Sequence, residues 1–172
     1  IYLGNDLYAL GQGALGVEAV MTGAQGSALV NFDITGNALA EGDGARIIRL
    51  EASDADTNGF IEISEEEVWF AKDGASLIET AGSFDLTLVN NGAFIYGGDT
   101  EGAPYRGGSG RDVIHNYGYY EGNLFLGDGA NRFINHEGAI LYSGLMVDLG
   151  NDGSTLFNYG NFVLGDASTP DV

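Results

Sequence analysis

Apolar and polar residues alternate along most of this chain. Leu15, Val17, Ala19 and Met21 share one parity, as do Ala28, Val30, Phe32 and Ile34. Ile48, Leu50 and Ala52 alternate with Arg49 and Glu51, and Leu145, Val147 and Leu149 alternate with Met146 and Asp148. Leu124 with Leu126, and Phe162 with Leu164, keep the same register. A period of two marks strands, whose successive side chains point to opposite faces. Glycine turns separate the runs, so the pattern predicts an all-β protein. Only Ser64 to Lys72, "SEEEVWFAK", has a helix signal, a capping Ser followed by an acidic first turn.

The turns carry a repeat. "GGSGRDVIHN" (107–116), "LGDGANRFIN" (126–135) and "LGNDGSTLFN" (149–158) share a glycine-rich turn, an apolar pair and a terminal Asn, and glycine follows each Asn closely. Leu88-Val89-Asn90-Asn91-Gly92 is a fourth, weaker copy. Asn90, Asn116, Asn135 and Asn158 are spaced 19 to 26 residues apart, the length of one solenoid coil. Stacked at one corner, their amides would hydrogen-bond from coil to coil. The other reading of the same Asn-Gly pairs is a set of hairpin turns in an antiparallel sandwich. The preferred expectation is one parallel β-helix domain over residues 1–172. Its clearest repeats lie at 84–166, and its N-terminal coils are irregular.

Composition supports this picture and limits the partners. The 172 residues include 29 Gly and 2 Pro. The 25 Asp and Glu against 6 Lys and Arg give a net charge of −19, which repels nucleic acid and anionic membranes and favours cations. Cysteine is absent, which removes disulfides and thiolate chemistry. No apolar run approaches a membrane span. The start at Ile1, with neither an initiator Met nor a signal sequence, reads as a processed chain or a fragment of a longer one.

Two stretches suggest calcium. "DADTNGFIEISE" (54–65) resembles an EF-hand loop: Asp54, Asp56, Asn58, the Phe60 carbonyl, Glu62 and Glu65 match the ligand positions, and Gly59 matches the turn glycine. Its flanks alternate like strands, so the expectation is a calcium loop set between strands. The alternatives are a solvated acidic loop and a true helix-loop-helix. The phrase "EASDADTNGFIEIS" also resembles the Asp-x-Asp turn of cadherin-type repeats. The second stretch, "GGSGRDVIH" (107–115), resembles the nonapeptide of repeats-in-toxin β-rolls, with Gly107, Gly108, Gly110 and Asp112 matching. That resemblance implies calcium held by turn carbonyls and the Asp112 carboxylate. The next two copies carry Asn131 and Ser154 at the Asp position. The longer unit is similar to coils of secreted bacterial surface proteins, autotransporter passengers and adhesins.

Other side chains are less directive. His115 and His136 flank the repeat Asn residues at offsets of opposite sign, which places them on opposite strand faces as solvated or packed residues. Tyr117, Tyr119, Tyr120, Tyr142 and Tyr159 would form a stacked stripe, serving stability or a sugar ring. Trp69 adjoins the acidic run Glu65-Glu66-Glu67 and would report on the 54–65 stretch. The functional expectation is a non-catalytic, extracellular, calcium-binding structural or adhesive module at a bacterial cell surface. Its partners would be calcium, further copies of itself stacked end to end, or a cell-surface glycan. The alternative is a polysaccharide-acting β-helix enzyme, with pairs such as Asp54 and Asp56 or Asp148 and Asp152 as carboxylates.

Overall fold

A computed structural model describes residues 2–3, 5–22, 28–53, 57–97 and 102–165. Every regular element among them is a strand. In chain order they are β1 (Tyr2–Leu3), β2 (Leu7–Leu10), β3 (Leu15–Met21), β4 (Ala28–Ile34), β5 (Ala38–Glu41) and β6 (Arg46–Ala52). There follow β7 (Thr57–Ile63), β8 (Val68–Lys72), β9 (Ser76–Gly82), β10 (Asp85–Asn90), β11 (Ala93–Tyr96) and β12 (Tyr105–Arg106). The last are β13 (Val113–Asn116), β14 (Tyr119–Phe125), β15 (Arg132–Asn135), β16 (Ile140–Asp148), β17 (Thr155–Asn158) and β18 (Asn161–Leu164). Among the described residues no helix is long and apolar enough to cross a membrane.

All pairings are parallel, and the chain is a β-solenoid. One sheet has seven strands in the order β1-β4-β7-β10-β13-β15-β17. The other has eleven. Two columns of strands, β2-β5-β8-β11 and β3-β6-β9-β12, meet in the long strand β14, which pairs onward to β16 and β18. β14 and β16 each cover two faces, with a register shift between Gly122 and Leu124. There the Asn123 Oδ1 accepts the Met146 N–H of the next coil at 2.9 Å.

Alternation builds the core directly. Phe32, Ile61, Leu88, Ile114, Phe133 and Leu156 are aligned in register through six coils. Trp69, Phe94, Tyr120 and Phe133 are fully buried, and their rings follow one another at centroid distances of 6.3, 5.8 and 5.4 Å. Burying one such ring contributes roughly 1.5–3 kcal/mol before entropy is counted. The N-terminal coils follow a longer period. Leu7, Ala38 and Trp69 are aligned at spacings of 31 residues, whereas Tyr119, Ile140 and Asn161 are spaced by 21.

The repeat Asn residues line one interior corner as expected. Asn90 Nδ2 donates to Asn116 Oδ1 at 2.7 Å, Asn116 to Asn135 at 2.8 Å and Asn135 to Asn158 at 2.8 Å. Each also donates to a backbone carbonyl of the following turn, those of Tyr119, Ile140 and Asn161. The ladder ends upstream because the partner of Asn90 in β7 is Ile63, and Asn90 Oδ1 is buried without a hydrogen bond.

The helix signal at Ser64 resolves into a tight turn and a strand. The capping-box bond forms, Ser64 N–H donating to the Glu67 carboxylate at 3.0 Å, but only one turn follows it. Val68, Trp69 and Phe70 then continue as β8, because β-branched and aromatic residues pack better in the pleated wall than on a lone helical turn.

Candidate functional site

The inward set of the seven-stranded sheet determines its outward set. With Ile114, Asn116, Phe133 and Asn135 buried, β13 turns Val113 and His115 outward, β15 turns out Arg132, and β17 turns out Thr155 and Phe157. Val113, Arg132 and Thr155 form one row across the strands, and His115, Ile134 and Phe157 the next. One residue beyond Asn116, Asn135 and Asn158 stand Tyr117, His136 and Tyr159. A rigid corner thus presents ring side chains at a regular spacing.

Within this surface His115 Nδ1 and His136 Nε2 lie 3.0 Å apart, one donating and the other accepting. Their planes differ by 15° and their centroids are 5.3 Å apart, so the rings meet edge to edge. Tyr117 covers a face of His136 at 3.8 Å and 8°. Phe157 and Tyr159 lie nearly parallel at 6.5 Å, and the Arg132 guanidinium sits 5.5 Å from the Phe157 centroid, a cation–π distance. Beside them is a crevice of about 320 Å³ lined by Arg111, Val113, Arg132, Gly153 and Thr155. Burial chiefly, then His136 and Arg132, lower the proton affinity of His115.

The cations elsewhere are engaged differently. Arg46 and Arg49 pair with Glu79, Arg49 also with Glu18 and Glu51, and Lys72 with Glu41. Arg106 lies over Phe125 on the other sheet. Arg111, Arg132 and the histidine pair therefore gather on one end of one face of a chain carrying −19.

The meeting of the histidines corrects the expectation of opposite faces. Offsets of −1 and +1 from the aligned, buried Asn116 and Asn135 have the same parity, so both rings stand on the outward side, and His136, just past the end of β15, has its N–H donating to Asn116 O. The dipeptides Asn116-Tyr117, Asn135-His136 and Asn158-Tyr159 carried the signal, since an aligned Asn ladder brings the next residues into a row.

The calcium-like residues are distributed otherwise. Asp54 and Asp56 lie outside the described residues. Asn58, Phe60 and Glu62 belong to β7, with Asn58 and Glu62 exposed, and Glu65 is exposed in the following turn. Four residues of strand span about 13 Å, whereas ligands of one calcium lie within about 2.6 Å of it. The described part of this stretch is extended. The Glu62 carboxylate accepts from Asn91 Nδ2 at 3.1 Å. Gly59 serves packing rather than a turn: a Cβ there would come within 2.6 Å of the Phe84 ring.

At the glycine turn, Gly108 N–H donates to Thr80 Oγ1 at 2.9 Å. Gly110 and Asp112 are buried. The Asp112 carboxylate points into the solenoid, accepting from Leu86 N–H at 2.9 Å and Thr80 Oγ1 at 3.3 Å, with Tyr105 beside it. Asn131 Oδ1 accepts the Asp112 N–H at 2.7 Å, and Ser154 Oγ accepts the Asn131 N–H at 2.9 Å. Asp, Asn and Ser thus alternate at one position because each is a short acceptor for the backbone of the coil before it. Asp148, paired with Asp152 as a hydrolase candidate, accepts the Gly150 N–H at 2.9 Å. Among the described residues no three His, Cys, Asp or Glu side chains converge as a metal group.

Comparison of the chain with protein-family models, with curated proteins and with solved structures finds no match.

Proposed function

We propose that this chain is a non-catalytic, adhesive β-solenoid module that presents the C-terminal end of its seven-stranded sheet as a carbohydrate-recognising surface. One observation carries the reading: on an otherwise acidic molecule one face gathers Arg111, Arg132 and Thr155 around a crevice, Phe157 against Arg132, and Tyr117, His136 and Tyr159 just beyond the ends of the same strands. Exposed ring faces suit the C–H faces of a sugar, and guanidinium, imidazole and Thr155 hydroxyl groups suit its hydroxyls. Arg132, Thr155 and Phe157 are held on strands, and Tyr117, His136 and Tyr159 directly follow strand ends fixed by the Asn ladder, so little ordering entropy is lost on binding.

A location outside a bacterial cell belongs to the same proposal and rests on the similarity of the repeats to secreted surface proteins. Calcium enters as a counter-ion for the −19 charge, with Glu62 and Glu65 among its exposed contacts. The test is binding of the intact chain to an array of neutral and uronic-acid oligosaccharides. Tyr117→Ala and Tyr159→Ala should each weaken the strongest interaction about five- to ten-fold. Retention of no saccharide, or variants that bind as well as the parent chain, would reject the proposal.

A further inference from the structure

We infer that His115 and His136 form a two-imidazole site for a divalent transition-metal ion of the zinc, copper or nickel class, held between adjacent coils. The inference stands apart from saccharide binding and rests on the edge-to-edge meeting of the two rings. Their facing nitrogens are 3.0 Å apart. Two imidazoles on one tetrahedral zinc, at 2.0–2.1 Å each, place their nitrogens about 3.3 Å apart. The difference of about 0.3 Å is small, but the facing lone pairs point at each other, so each ring must also turn in its plane by about 35° to converge on one ion. Tyr117 stacked on His136 fixes the plane of that ring and leaves such a rotation open.

The proton balance is simple. In the empty pair one contact nitrogen carries the shared proton. When metal enters, that ring holds its proton on its other nitrogen, and both contact nitrogens offer lone pairs. Water completes the coordination sphere, so the ion exchanges readily. Imidazole ligation favours zinc, copper and nickel, whereas calcium and magnesium prefer the carboxylates that cover the rest of the surface.

The experiment titrates the intact chain with zinc chloride, and separately with nickel chloride, by calorimetry in millimolar magnesium to occupy surface carboxylates. One equivalent should bind to the parent chain. His115→Ala and His136→Ala should each weaken that binding at least about ten-fold, since even outer-shell changes have effects of that order. Tyr117→Phe, which keeps the ring over His136, should bind normally. Proton NMR of the parent chain gives a second reading, in which the ring resonances of both histidines shift and saturate at one equivalent of zinc. Zinc binding unchanged in both histidine variants, or histidine resonances that stay still at one equivalent, overturns the inference.

Discussion

Asp112 shows how one buried side chain couples this fold to pH. Its carboxyl is pushed from 3.8 to about 7, first by burial, against the hydrogen bonds from Tyr105, the Leu86 N–H and Thr80 that favour the charged form. The folded chain therefore binds this proton more tightly than the unfolded chain. The stabilisation is complete below about pH 4, declines as pH rises from about 4 to 7, and is absent above that, a change of up to about 4 kcal/mol. General charge repulsion has the same sign, so the diagnostic comparison is with Asp112→Asn. Asn131 already does the equivalent work one coil later. In urea melts from pH 4 to 8 the variant should gain on the parent chain as pH rises and exceed it at pH 8. Parallel curves would show that Asp112 does not titrate in this window.

At the scale of elements, the coils are joined by corners as much as by walls. Gly127, at φ 70°, illustrates how close the glycine corner is, since a Cβ would lie 2.2 Å from the Gly108 carbonyl. The Asn corner is directional: Asn116 and Asn135 each accept from the coil before and donate to the coil after. Asn116→Asp keeps the acceptor for Asn90 but strips the donor from Asn135 Oδ1 and Ile140 O, and it places a charge in the interior. The expected loss is about 3–5 kcal/mol in denaturant unfolding. Asn158→Asp, at the exposed end of the row, keeps its acceptor role and should lose less than about 1 kcal/mol. Equal losses at the two sites would mean that the ladder does not act as a chain of donors and acceptors.

At the scale of the whole molecule, charge and exposed apolar surface oppose each other. Phe162 aligns with the buried Leu141 yet is 39% exposed, and Leu164 beside it is 78% exposed. No strand pairs beyond β17 or β18 among the described residues. Such a coil favours association through its edge, and the −19 charge resists it. Sedimentation should show growing mass as sodium chloride is raised from 50 to 500 mM, where the screening length falls from about 14 to 4 Å. Calcium should act at lower concentration, and Leu164→Glu should reduce the growth. A single monomeric species under all these conditions would exclude self-association.

The sequence by itself determined what depends on local periodicity. Strands follow from two-residue alternation, turns from glycine, and the coil spacing from Asn90, Asn116, Asn135 and Asn158, because identical residues in register must stack when parallel strands pair. The tertiary structure decided what depends on neighbours from other coils. Asp112, Asn131 and Ser154 look like a fading metal motif in one dimension and form an acceptor ladder in three, since the N–H each receives belongs to the coil before. Thr57 to Ile63, the strand inside the calcium-like stretch 54–65, are extended by pairing with β4 and β10 on both sides, and backbone pairing along a whole strand outweighs a local turn preference. His115 and His136 are 21 residues apart in the chain and meet only because one coil separates them, each one residue from an inward Asn of the aligned pair and therefore on the outward side.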